Sequence, residues 1–415
     1  YGRYDDLLVF LDTDLCDEVC RLMKEQLDKD VLAMQEGKSI SLLAKWLPSV
    51  NTSSAVSRKR AGLLAEKFGM SEREYRKTLS ALRGYSNVVE VKMSASKWEE
   101  IDYEAVPAKA NLKYENAFVK HDEERRSEYL CKVWLGESKL NGKGIMPYEV
   151  VHRLIRQSGF WSYGLKDDTL AELMWKELQN QGFKNDWGFE DCIVVADGSG
   201  SMFTRASGSA NVLAIEICNS LAIYFAEQLK GVFHNKAITF SGSPRFIDLE
   251  PGKNLKEKLE IMFAHTEVSN TNIEAVFDML LELAVCQEVP AEELPKQVLI
   301  ISDMEFDEAS RPCGWYGPRT DWNAFTPALF DIISKRFEEA GYQMPRLIFW
   351  NVCGRTNTIP MVDETKDICL LSGFSQNAMK VAANRGVKNQ FQNLTRVLDA
   401  PRYDKVEQAI AHLVG

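Results

Sequence analysis

The sequence predicts a two-domain protein, with an all-α helical-repeat domain over residues 1–187 followed by a doubly wound α/β domain over residues 188–415. Three observations predict this organisation. The chain has 415 residues, a length at which one hydrophobic core commonly gives way to two. In the first half, apolar residues recur at the three- to five-residue spacing of amphipathic helices. In the second half, short apolar runs alternate with helical stretches, which is typical of a mostly parallel sheet with helices on both faces.

The first half contains several helical patterns joined by short polar linkers. The first begins at Leu15 and reaches Met34, with charged residues between its apolar positions. Further helices are predicted over residues 54–68, 71–83, 111–135 and 164–179. Because no strict repeat period emerges, the pattern favours an irregular array of short helices.

The second half contains six strand-like apolar runs. They cover residues 192–196, 236–240, 245–249, 297–302, 346–352 and 368–373. Helices are predicted over residues 211–229, 254–263, 272–286, 323–340, 376–383 and 402–414. Only the residues SGSP separate the second run from the third, so these two strands are expected to form a hairpin that gives the sheet one antiparallel edge strand.

Oxygen-bearing side chains stand where predicted strands end. Asp197, Ser199 and Ser201 follow the first strand, Asp303 follows the fourth, and Thr271 precedes the third helix of this half. Ligands of open α/β sheets bind at the carboxyl ends of the strands, so these groups are expected to meet. A set of hard oxygen donors without His or Cys suits Mg²⁺ (or Mn²⁺). The alternative is that the aspartate and serines only cap the following helix.

These residues also match a known pattern. The order D-x-S-x-S, then Thr, then Asp resembles the metal-ion-dependent adhesion site of von Willebrand factor A domains. The resemblance covers residues 188–415. It implies an A-type fold, with one Mg²⁺ (or Mn²⁺) whose open coordination position accepts an acidic ligand.

The first half is similar to the helical module of Ro-type ribonucleoprotein autoantigens, the TROVE module, which is built from HEAT-like helical repeats. The segments that carry this resemblance are YGRYDDLL, LLAKWLPS, EYRKTLSALR, WEEIDYEAVPAKA and YENAFVKHD. Across nearly the whole chain, the layout resembles an uncharacterised family of Ro-like proteins with the same two parts. By analogy, the resemblance implies binding of structured or misfolded RNA.

Basic residues in the first half give the RNA hypothesis a physical basis. They are Arg58, Lys59, Arg60, Arg73, Arg76, Lys77 and Arg83. On a helix over residues 71–83, the last four fall within about 120° of arc and could follow a phosphate backbone, although the chain as a whole carries a net charge of -10. Two alternatives remain open. The basic face could simply be solvated, or the protein could be an interaction scaffold whose metal site and repeats bind acidic protein side chains without RNA.

The remaining motifs argue against an enzyme. NGKG at residues 141–144 lacks the spacing of a phosphate-binding loop, GSGSM is not a nucleophile elbow, and the five histidines stand apart. Nine cysteines without metal-type spacing, with Cys192, Cys218 and Cys286 expected as buried free thiols, indicate a cytoplasmic protein. No apolar run reaches the roughly 20 residues that span a bilayer, so no membrane partner is expected.

Overall fold

The computed structural model describes most of the chain, which forms two compact units. The described residues are 4–86, 88–157, 163–185, 191–206, 211–241, 243–265, 273–303, 327–353, 368–383, 395 and 399. The first unit comprises residues 1–106 and 116–127, and the second comprises residues 107–115 and 128–415.

The described residues of the first unit form short helices. They are a 3-10 helix (Tyr4–Asp12), α1 (Cys16–Gln35), α2 (Leu43–Trp46), α3 (Ala55–Lys67), α4 (Glu72–Tyr85), α5 (Val89–Ser94) and a second 3-10 helix (Trp98–Glu100). Helices α6 (Ala108–His121) and α7 (Glu123–Trp134) come next along the chain. The apolar positions of the first 3-10 helix and of α1 to α4 share one core, in which Leu27 and Leu64 are fully buried. The prediction of a helical N-terminal region is confirmed.

Two of the predicted helices differ from the observed ones. The single helix expected over residues 111–135 is divided into α6 and α7 at Asp122, whose carboxylate accepts hydrogen bonds of 2.8 Å from Tyr103 and from Arg125. The helix expected from residue 164 begins later, as α9 (Thr169–Asn185), and Asp168 accepts a hydrogen bond from the backbone of Ala171 in its first turn. Aspartate before a helix satisfies free N–H groups, and at Asp168 this local interaction outweighs the apolar pattern. At Asp122 the carboxylate is instead held by the side chains of Tyr103 and Arg125.

The second unit is built on a six-stranded sheet. Its strands are β3 (Cys192–Ala196), β4 (Lys236–Thr239), β5 (Phe246–Asp248), β6 (Gln297–Ser302), β7 (Arg346–Asn351) and β8 (Ile368–Ser372), in the order β5-β4-β3-β6-β7-β8. Only the β4–β5 pair is antiparallel among these strands. The predicted mostly parallel sheet with one antiparallel edge strand is therefore confirmed. Helix α8 (Pro147–Leu154) and a small antiparallel hairpin of β1 (Ile155–Gln157) and β2 (Tyr163–Leu165) precede α9 along the chain, and the sequence did not predict this hairpin.

Helices cover both faces of this sheet. They are α10 (Ala214–Ala226), α11 (Leu255–Ala264), α12 (Ile273–Cys286), α13 (Pro327–Glu339) and α14 (Gln376–Ala383). On one face, Phe277 of α12 and Phe337 of α13 join the alternate strand residues Ile193 and Val195 in a common core. On the other face, Phe225 of α10 packs edge-on against Trp350. The helix predicted over residues 402–414 lies outside the described residues.

Two further expectations concern the cysteines and the membrane. Cys192 and Cys218 are buried free thiols as expected, whereas Cys286 is exposed, because its position in the last turn of α12 lies opposite the buried face that ends at Ala284. Within the described part of the chain, no helix is long and apolar enough to cross a bilayer.

Candidate functional site

Polar side chains gather at the carboxyl edge of the sheet. Asp197 directly follows β3, and Asp303 directly follows β6. These two strands are parallel neighbours in which Ala196 pairs with Ile301, and the backbone N–H of Asp197 continues the ladder to the carbonyl of Ile301 at 3.1 Å. The sheet register therefore brings the two aspartates to the same edge, where both are almost completely buried, with 3% and 2% of their surface exposed.

The loop after β3 turns two serine hydroxyls toward each other. The backbone N–H of Ser199 donates a 2.8 Å hydrogen bond to Oδ1 of Asp197, which bends the loop back on the strand end. A 3-10 helix (Gly200–Phe203) then begins, and it places Oγ of Ser201 3.0 Å from Oγ of Ser199. Both serines are half-buried, whereas the two aspartates are buried.

This arrangement fits a small divalent cation. Mg²⁺ holds its oxygen ligands at about 2.0–2.1 Å in an octahedron, so neighbouring ligands lie about 2.9 Å apart. The Ser199–Ser201 separation of 3.0 Å matches one edge of that octahedron. Within the described residues, no three His, Cys, Asp or Glu side chains gather around one point, so a cation here would depend on hydroxyl ligands as well as carboxylates.

The electrostatics of the edge also favour a cation. Burial raises the pKa of Asp197, and the hydrogen bonds from Ser302 and Ser199 only partly offset that effect, while the charge of Asp303 raises the pKa further. A buried carboxylate near a second negative charge is harder to ionise, and a divalent cation bound at this edge would favour the charged form of Asp197. Cys218 lies close by, but burial raises the pKa of its thiol well above the usual value, so it is not a nucleophile.

One residue that holds the site was missed in the sequence. Ser302, the last residue of β6, donates a 2.5 Å hydrogen bond from its hydroxyl to Oδ2 of Asp197. Both Asp197 oxygens therefore have fixed partners, one from its own loop and one from the neighbouring strand. A polar residue that closes an otherwise apolar run was the available signal.

The predicted metal-site residues are placed as follows. Asp197, Ser199, Ser201 and Asp303 lie at the same sheet edge, and Thr271 lies outside the described residues.

Additional polar groups end the flanking strands. Thr239 ends β4 and Ser241 follows it, both buried with their hydroxyls 3.3 Å apart, and buried Asn351 ends β7.

The second candidate surface is the basic face of α3 and α4. Helix α4 is anchored by a capping box, in which the Ser71 hydroxyl accepts from the Glu74 N–H and the Glu74 carboxylate accepts from the Ser71 N–H at 2.8 Å. Buried Tyr75, Leu79 and Leu82 fix the opposite face of the helix against the core. This leaves a solvent-facing row of cations, which we call the basic row. It consists of Lys59, Arg73, Arg76 and Lys77, all exposed and with no ion pair to a described residue.

Three of the predicted cations have other roles. Arg83 was predicted on the exposed stripe, but it is half-buried and donates to the carbonyls of Ala44 and Leu47 and to the Ser49 hydroxyl at 2.7–2.8 Å. Its long side chain folds back on the loop after α2, where free carbonyls need donors. Arg58 donates to the carbonyls of residues 52 and 53, and Arg60 lies 3.5 Å from the carboxylate of Asp12.

Comparisons with known proteins place the chain in a family without establishing an activity. Residues 191–411 match the family described as "Domain of unknown function (DUF7788)", and since these are more than half of the chain, the chain belongs to that family. Residues 59–182 match a second description, "Domain of unknown function (DUF2828)".

One curated relative and one solved structure are similar over most of the chain. An uncharacterised protein of Acanthamoeba polyphaga mimivirus is 28% identical over 399 residues, which are 91% of this chain and 65% of that protein. The chain thus spans about two thirds of the length of this relative. The crystal structure of the Deinococcus radiodurans Ro (RSR) protein aligns with 90% of this chain and 78% of its own, at 12% identity and a TM-score of 0.44. No ligand, partner or activity of this chain follows from these similarities.

Proposed function

We propose that this chain is a non-enzymatic binding protein whose second half is a von Willebrand factor A-type domain with a metal-ion-dependent adhesion site. Asp197, Ser199, Ser201, Thr271 and Asp303 would hold Mg²⁺ (or Mn²⁺). The observation that carries the proposal is the pair of half-buried hydroxyls 3.0 Å apart beside two buried carboxylates. The order of the five residues in the sequence adds independent support.

The residues at the carboxyl edge of the sheet would have different roles in such a site. The Ser199 and Ser201 hydroxyls would serve as neutral ligands, so a bound cation would keep most of its positive charge for an incoming anion. Asp197 stays in place because its two oxygens accept hydrogen bonds from the Ser199 N–H and the Ser302 hydroxyl. The bound ion would supply electrostatic attraction for a phosphate or carboxylate.

We further propose that the helical half binds structured or misfolded RNA through the basic row. Two observations support this: the quoted segments that resemble Ro-type proteins, and cations that no described carboxylate neutralises. Unpaired cations on a rigid helix release counterions from a nucleic-acid backbone on contact, which favours binding at low salt. The row contains no aromatic side chain for base readout, so binding through it would depend on shape and charge.

Charge reversal of the basic row tests the RNA proposal. Arg73→Glu, Arg76→Glu and Lys77→Glu combined should lower the affinity for a structured RNA by at least about tenfold and flatten the salt dependence by about one unit for each lost phosphate contact. The measurement is fluorescence anisotropy with a labelled hairpin RNA at two salt concentrations. The matched control combines Lys29→Glu, Lys38→Glu and Lys120→Glu, which change the net charge equally at other exposed sites.

Equal binding by the wild type and the reversed variant, or no binding by either, would contradict the RNA proposal. The chain would then be an interaction scaffold that binds acidic protein side chains through the metal site. In that case, a chelator would abolish partner binding, whereas added salt would change it little.

The proposed absence of catalysis has its own test. Both oxygens of Asp197 accept hydrogen bonds within a hydroxyl-rich site, so we propose that it is no general base and expect neither ATP hydrolysis nor RNA cleavage above background. Turnover that disappears in Asp303→Ala would contradict this expectation.

A further inference from the structure

A cleft of about 850 Å³ opens beside the basic row in the first unit. It lies between α4, α5 and the segment that follows α2, and all of its lining residues belong to the first unit. Its volume falls within the range of about 300–1,000 Å³ that is typical of small-molecule sites. Arg76 and Lys77 belong both to the basic row and to the wall of this cleft, whereas Arg73 lies outside it.

The cleft carries an excess of positive charge. Four cationic side chains line it, from Lys45, Arg76, Lys77 and Arg83, against the single carboxylate of Glu90. Glu90 lies 3.3 Å from the Lys45 ammonium, so it partly neutralises that one cation. The three hydrogen bonds of Arg83 go to carbonyl and hydroxyl oxygens, which leave its charge uncompensated. The electrostatics of the cleft therefore favour an anion.

The rest of the lining is not suited to a bare inorganic anion. One part is apolar, where the half-buried Val50 and Val91 line the cleft. Another part offers neutral hydrogen-bonding groups, among them Asn51 and Ser80. An apolar surface next to amide and hydroxyl groups, with cations beside both, matches a ligand that joins a flat apolar ring to hydroxyl groups and a phosphate.

We infer that this cleft binds a single nucleotide, with its phosphate at Arg76 and Lys77, its ribose beside Asn51 and Ser80, and its base on the apolar wall of Val50 and Val91. The inference rests on the proposed RNA-binding function. It specifies that the cleft binds one unpaired nucleotide of the RNA strand. A free mononucleotide presents the same chemistry, so the experiment includes both sources.

A variant that fills the cleft without changing its charge separates this inference from the general RNA proposal. Ser80 is an exposed α4 residue that lines the cleft, and tryptophan has nearly the same helix propensity as serine. Ser80→Trp should therefore occupy the cleft while α4 and its cations stay in place. The matched control is Ala81→Trp, on the next exposed residue of α4, which does not line the cleft.

Three probes are titrated against the full chain: adenosine monophosphate, a labelled single-stranded hexa-adenylate and a blunt-ended RNA duplex. We expect Ser80→Trp to weaken binding of the first two at least tenfold and to leave duplex binding unchanged, with Ala81→Trp equal to the wild type for all three. Ser94→Trp, from the opposite wall on α5, should repeat the result, and it replaces Ser80→Trp if that variant fails to fold.

The two proposals fail in different ways. Wild-type binding of single-stranded RNA or adenosine monophosphate by both cleft-filled variants would overturn the cleft inference. The cleft inference would also be overturned if the wild type bound the duplex but neither hexa-adenylate nor adenosine monophosphate. The RNA proposal would then stand. If the wild type binds adenosine monophosphate through the cleft but no RNA, the cleft is a site for a free nucleotide, and the RNA proposal fails.

Discussion

The carboxyl edge of the sheet and the exposed face of α4 are opposite kinds of candidate site. At the edge, the carboxylate of Asp197 is 3% exposed, and its hydrogen bonds fix it before any ligand arrives. On α4, Arg76 and Lys77 are exposed, and their side chains form no hydrogen bond or ion pair with a described residue. The edge is suited to one small ion of defined geometry, whereas the helix face can adapt to a long and variable anion.

The largest effect is expected when the charge at the sheet edge is removed. Asp197→Asn should weaken Mg²⁺ binding by about a hundredfold, because the site loses a negative charge beside the hydroxyl ligands, and the loss of a group that supports metal ligands costs about 10–100-fold. The amide oxygen can accept from the Ser199 N–H, and the amide nitrogen can donate to the Ser302 hydroxyl. Since the substitution also removes a carboxylate whose pKa burial raises, the metal-free variant should melt no lower than the wild type. Thermal unfolding with and without Mg²⁺ measures both effects.

Exposed Glu260→Gln on α11 is the charge-matched control and should keep the Mg²⁺-dependent rise in melting temperature. A Mg²⁺ shift that persists in Asp197→Asn would remove this residue from the site.

A smaller effect, on the stability of the first unit, is expected when lysine replaces Arg83. The sequence alone could not distinguish this arginine from the exposed Arg76. Arg83→Lys should destabilise the first unit by about 2 kcal/mol, since a lysine cannot replace a planar guanidinium that binds three separate oxygens. Arg76→Lys should cost less than about 0.5 kcal/mol, as is usual for exposed substitutions. Hydrogen exchange of the α4 amides reports on this unit separately, and equal protection in the two variants would contradict the structural role of Arg83.

Ser302→Ala tests the strand-to-loop contact at the sheet edge. The loss of its hydroxyl leaves Oδ2 of Asp197 without this donor, so Mg²⁺ affinity should fall about tenfold, which corresponds to about 1.4 kcal/mol. Isothermal titration calorimetry measures the change, with Ser334→Ala on the surface of α13 as the control. An unchanged affinity would mean that the Ser302 bond does not position the carboxylate for metal binding.

The smallest effect is a pH dependence at α10. Nδ1 of His152 lies 2.7 Å from the buried carboxylate of Glu216, and this bond raises the pKa of His152. Because the pKa of His152 is higher in the folded than in the unfolded chain, the bond stabilises the fold fully at a pH below the unfolded-state pKa, near 6.5. This stabilisation is lost as the pH rises through the higher pKa of the folded state. Because the histidine side chain is 44% exposed, the effect should stay below about 1 kcal/mol.

Hydrogen exchange of the α10 amides at pH 6 and pH 8.5 measures this effect. Protection should decrease with pH in the wild type and change less in His152→Gln. The same pH dependence in both would exclude His152 as its cause.

The strand ends were predictable because sheet topology determines where they lie. The bounds of β3 and β6 agree with their apolar runs, and two parallel neighbours must end at one edge, so Asp197 and Asp303 followed from the pattern. The role of Ser302 did not follow: its place at the end of an apolar run marks a polar strand end, but the partner of its hydroxyl, Asp197 on the neighbouring strand, depends on the sheet register.

The exposed face of α4 was less predictable from the sequence. A position on a helix determines the direction of its Cα–Cβ bond, but not where the end of a long side chain lies. Arg83 falls in the same arc as Arg76, yet its side chain reaches the carbonyl of Ala44, 39 residues away in the sequence. The division of α6 from α7 at Asp122 depends on Tyr103, another contact distant in sequence. Such contacts depend on tertiary packing, which periodicity does not contain.

The central claim is that two serine hydroxyls at the sheet edge bind a divalent cation, and a Mn²⁺ titration followed by electron paramagnetic resonance tests it most directly. The wild type should remove about one Mn²⁺ per chain from the free-ion signal, and excess Mg²⁺ should release it, because both ions prefer oxygen ligands. The double variant Ser199→Ala and Ser201→Ala keeps both aspartates and should bind at least tenfold more weakly. Equal Mn²⁺ binding by the wild type and the double variant would contradict the claim.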